Sequence, residues 1–170
     1  MTKAETDLVL VGPMAAGKTS VGRRVARSLH TRFIDTDRVI VAEHGPIPEI
    51  FATHGEAHFR ELEHDAVVAS LANGGVISLG GGAVTHAATR TALVEHPVVF
   101  LTISDSAVAS RLRAGTRPLL ESEDPVARWR EIFDERRGWY EEVADLTVDT
   151  SRRPMSTIAA EIAQWRKDLA

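Results

Sequence analysis

The chain has 170 residues, 44% hydrophobic and 26% charged, enough for one domain with a sizeable buried core. Its net charge of -4 offers no basic field to nucleic acid or an anionic membrane, so a polyphosphate ligand must be met by individually placed Lys and Arg. The absence of cysteine excludes disulfides and thiolate metal sites and suits a reducing cytoplasm, the expected location. MTKAETD has no apolar h-region, no run is long and apolar enough to span a bilayer, and no repeat or linker divides the chain, so one domain over 1–170 is expected.

In chain order, LVLV (8–11) is a short, β-branched apolar run and predicts a buried strand. Gly12-Pro-Met-Ala-Ala-Gly17-Lys18-Thr19 follows at once and opens the helical pattern Lys18–Leu29. This is G-x-x-x-x-G-K-[ST] in the strand–loop–helix setting that its chemistry needs, because loop N–H groups and a helix N-terminus together form an anion site. Lys18 would reach the β- and γ-phosphates and the Thr19 hydroxyl would ligate Mg²⁺; with no nucleotide bound, Lys18 is expected to be solvated. A chance Gly-Lys-Thr is the bland alternative, and the register of strand, loop and helix argues against it.

RFID (32–35) predicts a second strand and Thr36–His44 a helix. Asp35 and Asp37 stand at the strand end, spaced i, i+2. They could divide the work, one near a metal and one at an incoming hydroxyl, or they could form an Asx turn and N-cap. A helical stretch from about Pro48 to Ala72 is interrupted at Gly55, and Phe59-Arg60-Glu61-Leu62-Glu63 puts Arg60 and Glu63 on one face, where a solvated ion pair is the ordinary explanation. His54 and His58 are spaced i, i+4, but Gly55 lies between them and no acid completes a ligand set.

VISL (76–79) predicts the third strand and runs into Gly80-Gly81-Gly82, where bare backbone can approach a ligand. Further on come a helix at Ala87–Glu95, a strand at VVFLTI (98–103) and a helix at Ser106–Leu112. Arg113–Asp124 breaks the periodicity with Gly, Pro and acids around Arg117, as a lid would, although an ordinary surface loop has the same composition. Pro125–Val143 is the next helix; its Arg136 has Arg130 and Arg137 as neighbours and could be a plain surface charge. LTVD (146–149) and Met155–Leu169 complete the series. Strands alternating with crossover helices imply an α/β protein with a parallel sheet covered on both faces, binding its ligand at the carboxyl ends of the strands. Each motif sits at such an end.

There is no N-K-x-D motif of GTPases and no strand ending in a typical Walker B aspartate. The P-loop, Asp35-Thr-Asp37, Phe59-Arg60 with Glu63, Gly80-Gly81-Gly82, Arg117-Pro-Leu-Leu and Arg136-x-x-x-Tyr140, in this order, resemble the shikimate kinases of the nucleoside monophosphate kinase-like P-loop group. The likeness runs from Leu8 to about Pro154. It implies a three-layer P-loop fold, a five-stranded parallel sheet in order 2-3-1-4-5, an acceptor-binding region over about 36–63 and a lid over about 113–124. It implies ATP- and Mg²⁺-dependent phosphorylation of the shikimate 3-hydroxyl; a monomer without nucleic-acid or membrane partners is expected.

By the same resemblance Gly12 and Ala15, Ala16, Gly17, Lys18, Thr19 and Ser20 would line the phosphates. Thr19 would bind Mg²⁺ directly, with Asp35 and Ser78 acting through water. Asp37 would receive the shikimate hydroxyls and serve as base. Arg60 and Arg136 would hold the carboxylate, Glu63 would orient Arg60, and Gly81 and Gly82 would add backbone contacts. Arg117 would sit on the phosphates from the lid, and Arg111 or Arg113, with the 151–154 loop and its Arg153, would meet adenine. Many relatives carry Gly where this chain has Ala15; Ala fits there if φ is negative.

Two guanidiniums on one carboxylate suit Arg, whose planar fork makes paired bonds that Lys cannot. A gluconate-type kinase is the near rival, and a nucleoside monophosphate kinase fits the Asp37, Arg60 and Arg136 set less well. A nucleotide-dependent switch without catalysis is the reading from another class.

Overall fold

The computed structural model describes residues 6–112 and 124–170. In chain order these form β1 Thr6–Val11, α1 Lys18–Ser28, β2 Phe33–Asp35, α2 Thr36–His44, α3 Ile47–Asn73, β3 Gly75–Ser78, a 3₁₀ turn at Ala83–Thr85 and α4 Ala87–Leu93. They continue with β4 Val98–Thr102, α5 Asp105–Leu112, α6 Pro125–Val143, β5 Leu146–Asp149 and α7 Met155–Asp168. The strands form one parallel sheet in order β2-β3-β1-β4-β5, as the resemblance implies.

The apolar runs explain the sheet. Leu8–Val11, Val76, Ile77 and Val98–Leu101 are fully or almost fully buried, which parallel strands covered on both faces require. Each such side chain contributes roughly 1.5–3 kcal/mol by leaving water. Helices α1 and α7 pack together, α1 also meeting β1 and β3, while α6 packs against α4, α5 and β4. A second, smaller core of Ile40, Ile50, Phe59 and Ala66, with Ile47 and Phe51 against it, lies between α2 and α3.

Register sets the site. Leu10 pairs with Ser78, and Ser78 with Asp35, so β1, β3 and β2 end at one level. α3 kinks at Gly55, whose φ of 83° and ψ of 172° are open to glycine alone, so one continuous helix was never available to 47–73. The 3₁₀ turn after the three glycines was not expected; Ala83 N–H to Gly80 O and Thr85 N–H to Gly82 O close it, and burial of Ala83 and Val84 seats it.

Candidate active site

In the Gly12–Gly17 loop every carbonyl from residue 12 to 16 accepts a side-chain donor. Lys18 Nζ donates to Gly12 O at 2.7 Å and Pro13 O at 2.9 Å, and Trp129 Nε1 to Met14 O at 2.9 Å. Arg111 Nη1 donates to Ala15 O at 2.5 Å and Thr150 Oγ1 to Ala16 O at 2.7 Å. In a trans peptide the C=O and the next N–H point opposite ways, so the Met14 and Ala16 carbonyls, tied to Trp129 and Thr150, turn the N–H groups of Ala15 and Gly17 toward the inside of the loop. The N–H groups of Met14, Ala15 and Gly17 donate to no group among the described residues, while Ala16 N–H closes the loop on Pro13 O at 3.4 Å. A concave set of unspent N–H donors at the start of α1 is a phosphate cradle.

Two details differ from expectation. Lys18 is half-buried rather than left to solvent alone; it folds back onto the loop carbonyls and holds the cradle in shape. Ala15 has φ of +69°, so the residue that should have needed a negative angle sits in the left-handed region. That region costs an L-residue about 1–2 kcal/mol, and the donors to Met14 O and Ala15 O hold the peptides on either side of it.

The cavity against the cradle, about 360 Å³, is lined by Lys18, Thr19 and Ser20 on one side and Asp35, Asp37 and Ser78 on the other. A second, of about 130 Å³, lies between α2, α3 and α6 and contains Arg60, Glu63, Arg136 and Gly82. The two share Met14, Asp37, Gly80 and Gly81. A group bound in one therefore meets a group bound in the other across Asp37.

The glycines are needed for close approach. A Cβ on Gly82 would lie 2.4 Å from both terminal nitrogens of Arg60. One on Gly80 would lie 2.6 Å from Asp37 Oδ1 and 2.7 Å from Glu63 Oε2. Arg60 Nη1 donates to Glu63 Oε1 at 2.8 Å and Nη2 to Glu56 at 3.3 Å, leaving Nε buried and without a partner. Arg136 lies near Gly81 and beside Tyr140 and Glu63 rather than on the surface, where Arg130 instead pairs with Asp105. Helical phase explains the split, because Trp129, Phe133, Arg136 and Tyr140 share one face of α6.

Burial raises the Glu63 carboxyl to about 7, against the lowering pull of Arg60. Asp37 is raised as well, first by burial and then by Asp35, with Lys18 and Arg60 acting the other way. Desolvated carboxylates hold protons more tightly, which is the property of a proton acceptor. Asp35, not Asp37, is the helix cap: its Oδ1 accepts the Asp37 N–H at 3.0 Å. The Asx-turn reading therefore holds for Asp35 and leaves Asp37 facing the cavities.

The donor set also fits Mg²⁺. Thr19, Asp35 and Ser78 bring hydroxyl and carboxylate oxygens to the cradle, and no group of three or more His, Cys, Asp or Glu among the described residues could hold a metal by itself. Mg²⁺ ordinarily takes one or two protein oxygens and completes its shell with phosphate and water. Arg111 links the cradle to the start of the 151–154 loop through Ala15 O and Thr150 O. Arg153 pairs with Glu161 on the exposed rim. Arg113 and Arg117 lie outside the described residues, as does most of the expected lid.

Sequence reasoning missed the fasteners. Thr36, wholly buried, accepts from Gly80 N–H at 3.2 Å and donates to Ser78 O at 3.4 Å, which ties the Asp35–Asp37 turn to the glycine loop. Its place between two acids was the only signal. Trp129 and Thr150 had none. Ile47 and Phe51, which form the apolar wall of the smaller cavity, had no signal either.

A family model described as shikimate kinase matches residues 14–167. A shikimate kinase of Corynebacterium efficiens is 43% identical over 168 residues, covering 97% of this chain and 99% of that protein. One from Salinispora arenicola is 47% identical over 158 residues, covering 91% and 94%. The structure of a shikimate kinase from Acinetobacter baumannii in complex with shikimate superposes with a TM-score of 0.88 at 35% identity, covering 98% of this chain and 95% of that one. A match of this breadth, on a fold whose phosphate cradle adjoins a two-arginine cleft, admits one assignment: the chain belongs to the shikimate kinase family.

Proposed function

We propose that this kinase transfers the γ-phosphoryl group of ATP to the 3-hydroxyl of shikimate, with the nucleotide in the larger cavity and the acceptor in the smaller. The observation that carries the reading is their common wall, where Asp37 faces both. The N–H groups of Ala15 and Gly17 and the ammonium of Lys18 would hold the phosphates. Arg60 and Arg136 would take the acceptor carboxylate, with Glu63 holding Arg60 in line and Gly81 and Gly82 adding backbone contact. Asp37 would accept the proton of the attacking hydroxyl as its oxygen bonds to phosphorus and the β–γ bridging bond breaks, releasing ADP. In a loose transition state this positioning and charge placement matter more than base strength.

Thr19 would hold Mg²⁺ directly and Asp35 and Ser78 through water; when bound, the ion supplies charge neutralisation at the phosphates. Arg111 uses its edges on Ala15 and Thr150, which leaves the guanidinium face for adenine beside Arg153 and the 151–154 loop. Arg117 would cover the phosphates. A monomer in the cytoplasm completes the proposal, supported by a chain free of cysteine and by exposed large apolar residues, Val41, Val68, Val94 and Leu169, that are spread along the chain among the described residues.

An ADP-release assay with shikimate, gluconate and CMP tests it. Turnover should require shikimate and vanish on Mg²⁺ chelation. Arg136→Lys should weaken shikimate while ATP binding stays near normal, since a charged hydrogen bond is worth about 1.5–3 kcal/mol. ADP release with gluconate or CMP alone, or with no acceptor dependence, would overturn the assignment.

A further inference from the structure

Helix α6 carries two buried donors aimed at backbone carbonyls, and the residue after each carbonyl, Ala15 in one case and Gly82 in the other, lines a different one of the two cavities. Trp129, 1% exposed, donates its indole N–H to Met14 O in the phosphate cradle at 2.9 Å. Tyr140, also 1% exposed, donates its hydroxyl to Gly81 O in the glycine loop. They are three helical turns apart on one face, held by the stack Trp129–Phe133–Tyr140 with centroids 5.1 and 6.2 Å apart.

Planarity of the peptide converts each contact into a direction. Tying Met14 C=O outward aims the N–H of Ala15, which has no acceptor among the described residues, into the cradle. Tying Gly81 C=O to the Tyr140 hydroxyl aims the N–H of Gly82, which donates to no group among the described residues, to the side opposite that hydroxyl, and Gly82 lines the acceptor cavity. We infer that Trp129 and Tyr140 are positioning residues, Trp129 for the nucleotide through the Ala15 N–H and Tyr140 for the acceptor through the Gly82 N–H. One rigid helix thereby sets the distance between donor and acceptor. Burial raises Tyr140 to about 12, so the phenol keeps the proton that it donates across the whole working range.

The inference rests on the shikimate kinase reading and is tested apart from it. Trp129→Phe keeps the aromatic stack and removes the N–H; Tyr140→Phe removes only the hydroxyl. Calorimetric titration with ADP and with shikimate, beside steady-state kinetics, should show a crossed pattern. Trp129→Phe should raise the Kd of ADP and the KM of ATP roughly three- to tenfold, with the shikimate constants unchanged. Tyr140→Phe should do the same for shikimate, with the ADP constants unchanged. Should Trp129→Phe fold poorly, site-specific incorporation of 3-benzothienylalanine, which puts sulfur where the N–H was, must give the same ADP effect. Unchanged constants, with only the melting temperature lowered, would reduce both residues to packing and overturn the inference, as would equal weakening of both ligands by either variant. Failure of the parent protein to phosphorylate shikimate would instead sink the functional reading, while the ADP titration would still judge Trp129.

Discussion

Glu63 is the residue at which burial and charge pull hardest against each other. It is 2% exposed, its partner Arg60 favours the anion, and desolvation still lifts its carboxyl from 4.5 to about 7. Between those two values the folded chain binds the proton more tightly than the unfolded chain does. The stability linked to Glu63 is thus fully present below about 4.5 and is lost as pH rises through about 7, at up to about 1.4 kcal/mol per unit. Glu63→Gln cannot titrate. In denaturant melts the stability of the parent, measured against Glu63→Gln, should decline from pH 4.5 to 7 and then level; a constant difference would show that Arg60 outweighs burial. The fasteners belong to this scale too: Thr36, Trp129 and Thr150 each fix backbone of the glycine loop or the cradle, and only Thr36, set between two acids, had any signal in the sequence.

Among the elements, α3 bears most directly on the acceptor. Its first segment brings Ile47 and Phe51 over the smaller cavity and its second brings Arg60 and Glu63 beneath it; the turn between them is Gly55. A Cβ there would meet nothing within 4 Å, so the cost of Gly55→Ala is purely conformational, about 1–3 kcal/mol for an angle pair that only glycine visits. Relief by straightening would swing the first segment off the cavity. Gly55→Ala should therefore melt lower and raise the KM for shikimate while the Kd for ADP stays within about twofold, since the cradle is built from β1, α1, α5 and α6. Equal weakening of both ligands would show that α3 supports the whole site. That the helix breaks at Gly55 was legible in the sequence. Which wall each half would form was not, because the placement comes from packing against α2 and the glycine loop.

For the molecule as a whole, the two cores predict unequal stability. The large one joins the central strands with α1, α6 and α7, whereas the small one rests on Ile40, Ile50, Phe59 and Ala66 between α2 and α3. A small core opens at lower cost. Amide hydrogen exchange in the free protein should be faster across 36–63 than in β1, β3 and β4. Saturating shikimate should slow 36–63 selectively, while ADP slows the 12–20 loop. Uniform exchange across both regions, or protection of 36–63 by ADP alone, would contradict this division of labour.

The sequence by itself determined the strand–helix alternation and the phosphate loop, because hydrophobic period and the Gly-Lys-Thr signature are local properties; Arg60, Glu63 and Arg136 stood out only through the family resemblance. It also placed Asp35 and Asp37 at one strand end, though not which of them caps. The tertiary structure decided the rest. The sign of φ at Ala15 follows from donors on α5 and α6 that hold its loop, the seating of Lys18 follows from carbonyls turned toward it, and the inward face of Arg136 follows from the phase of α6 on the sheet. Each depends on a partner that is distant along the chain, as Trp129 is from Met14, and a local pattern holds no information about a contact that only the packing of separate elements creates.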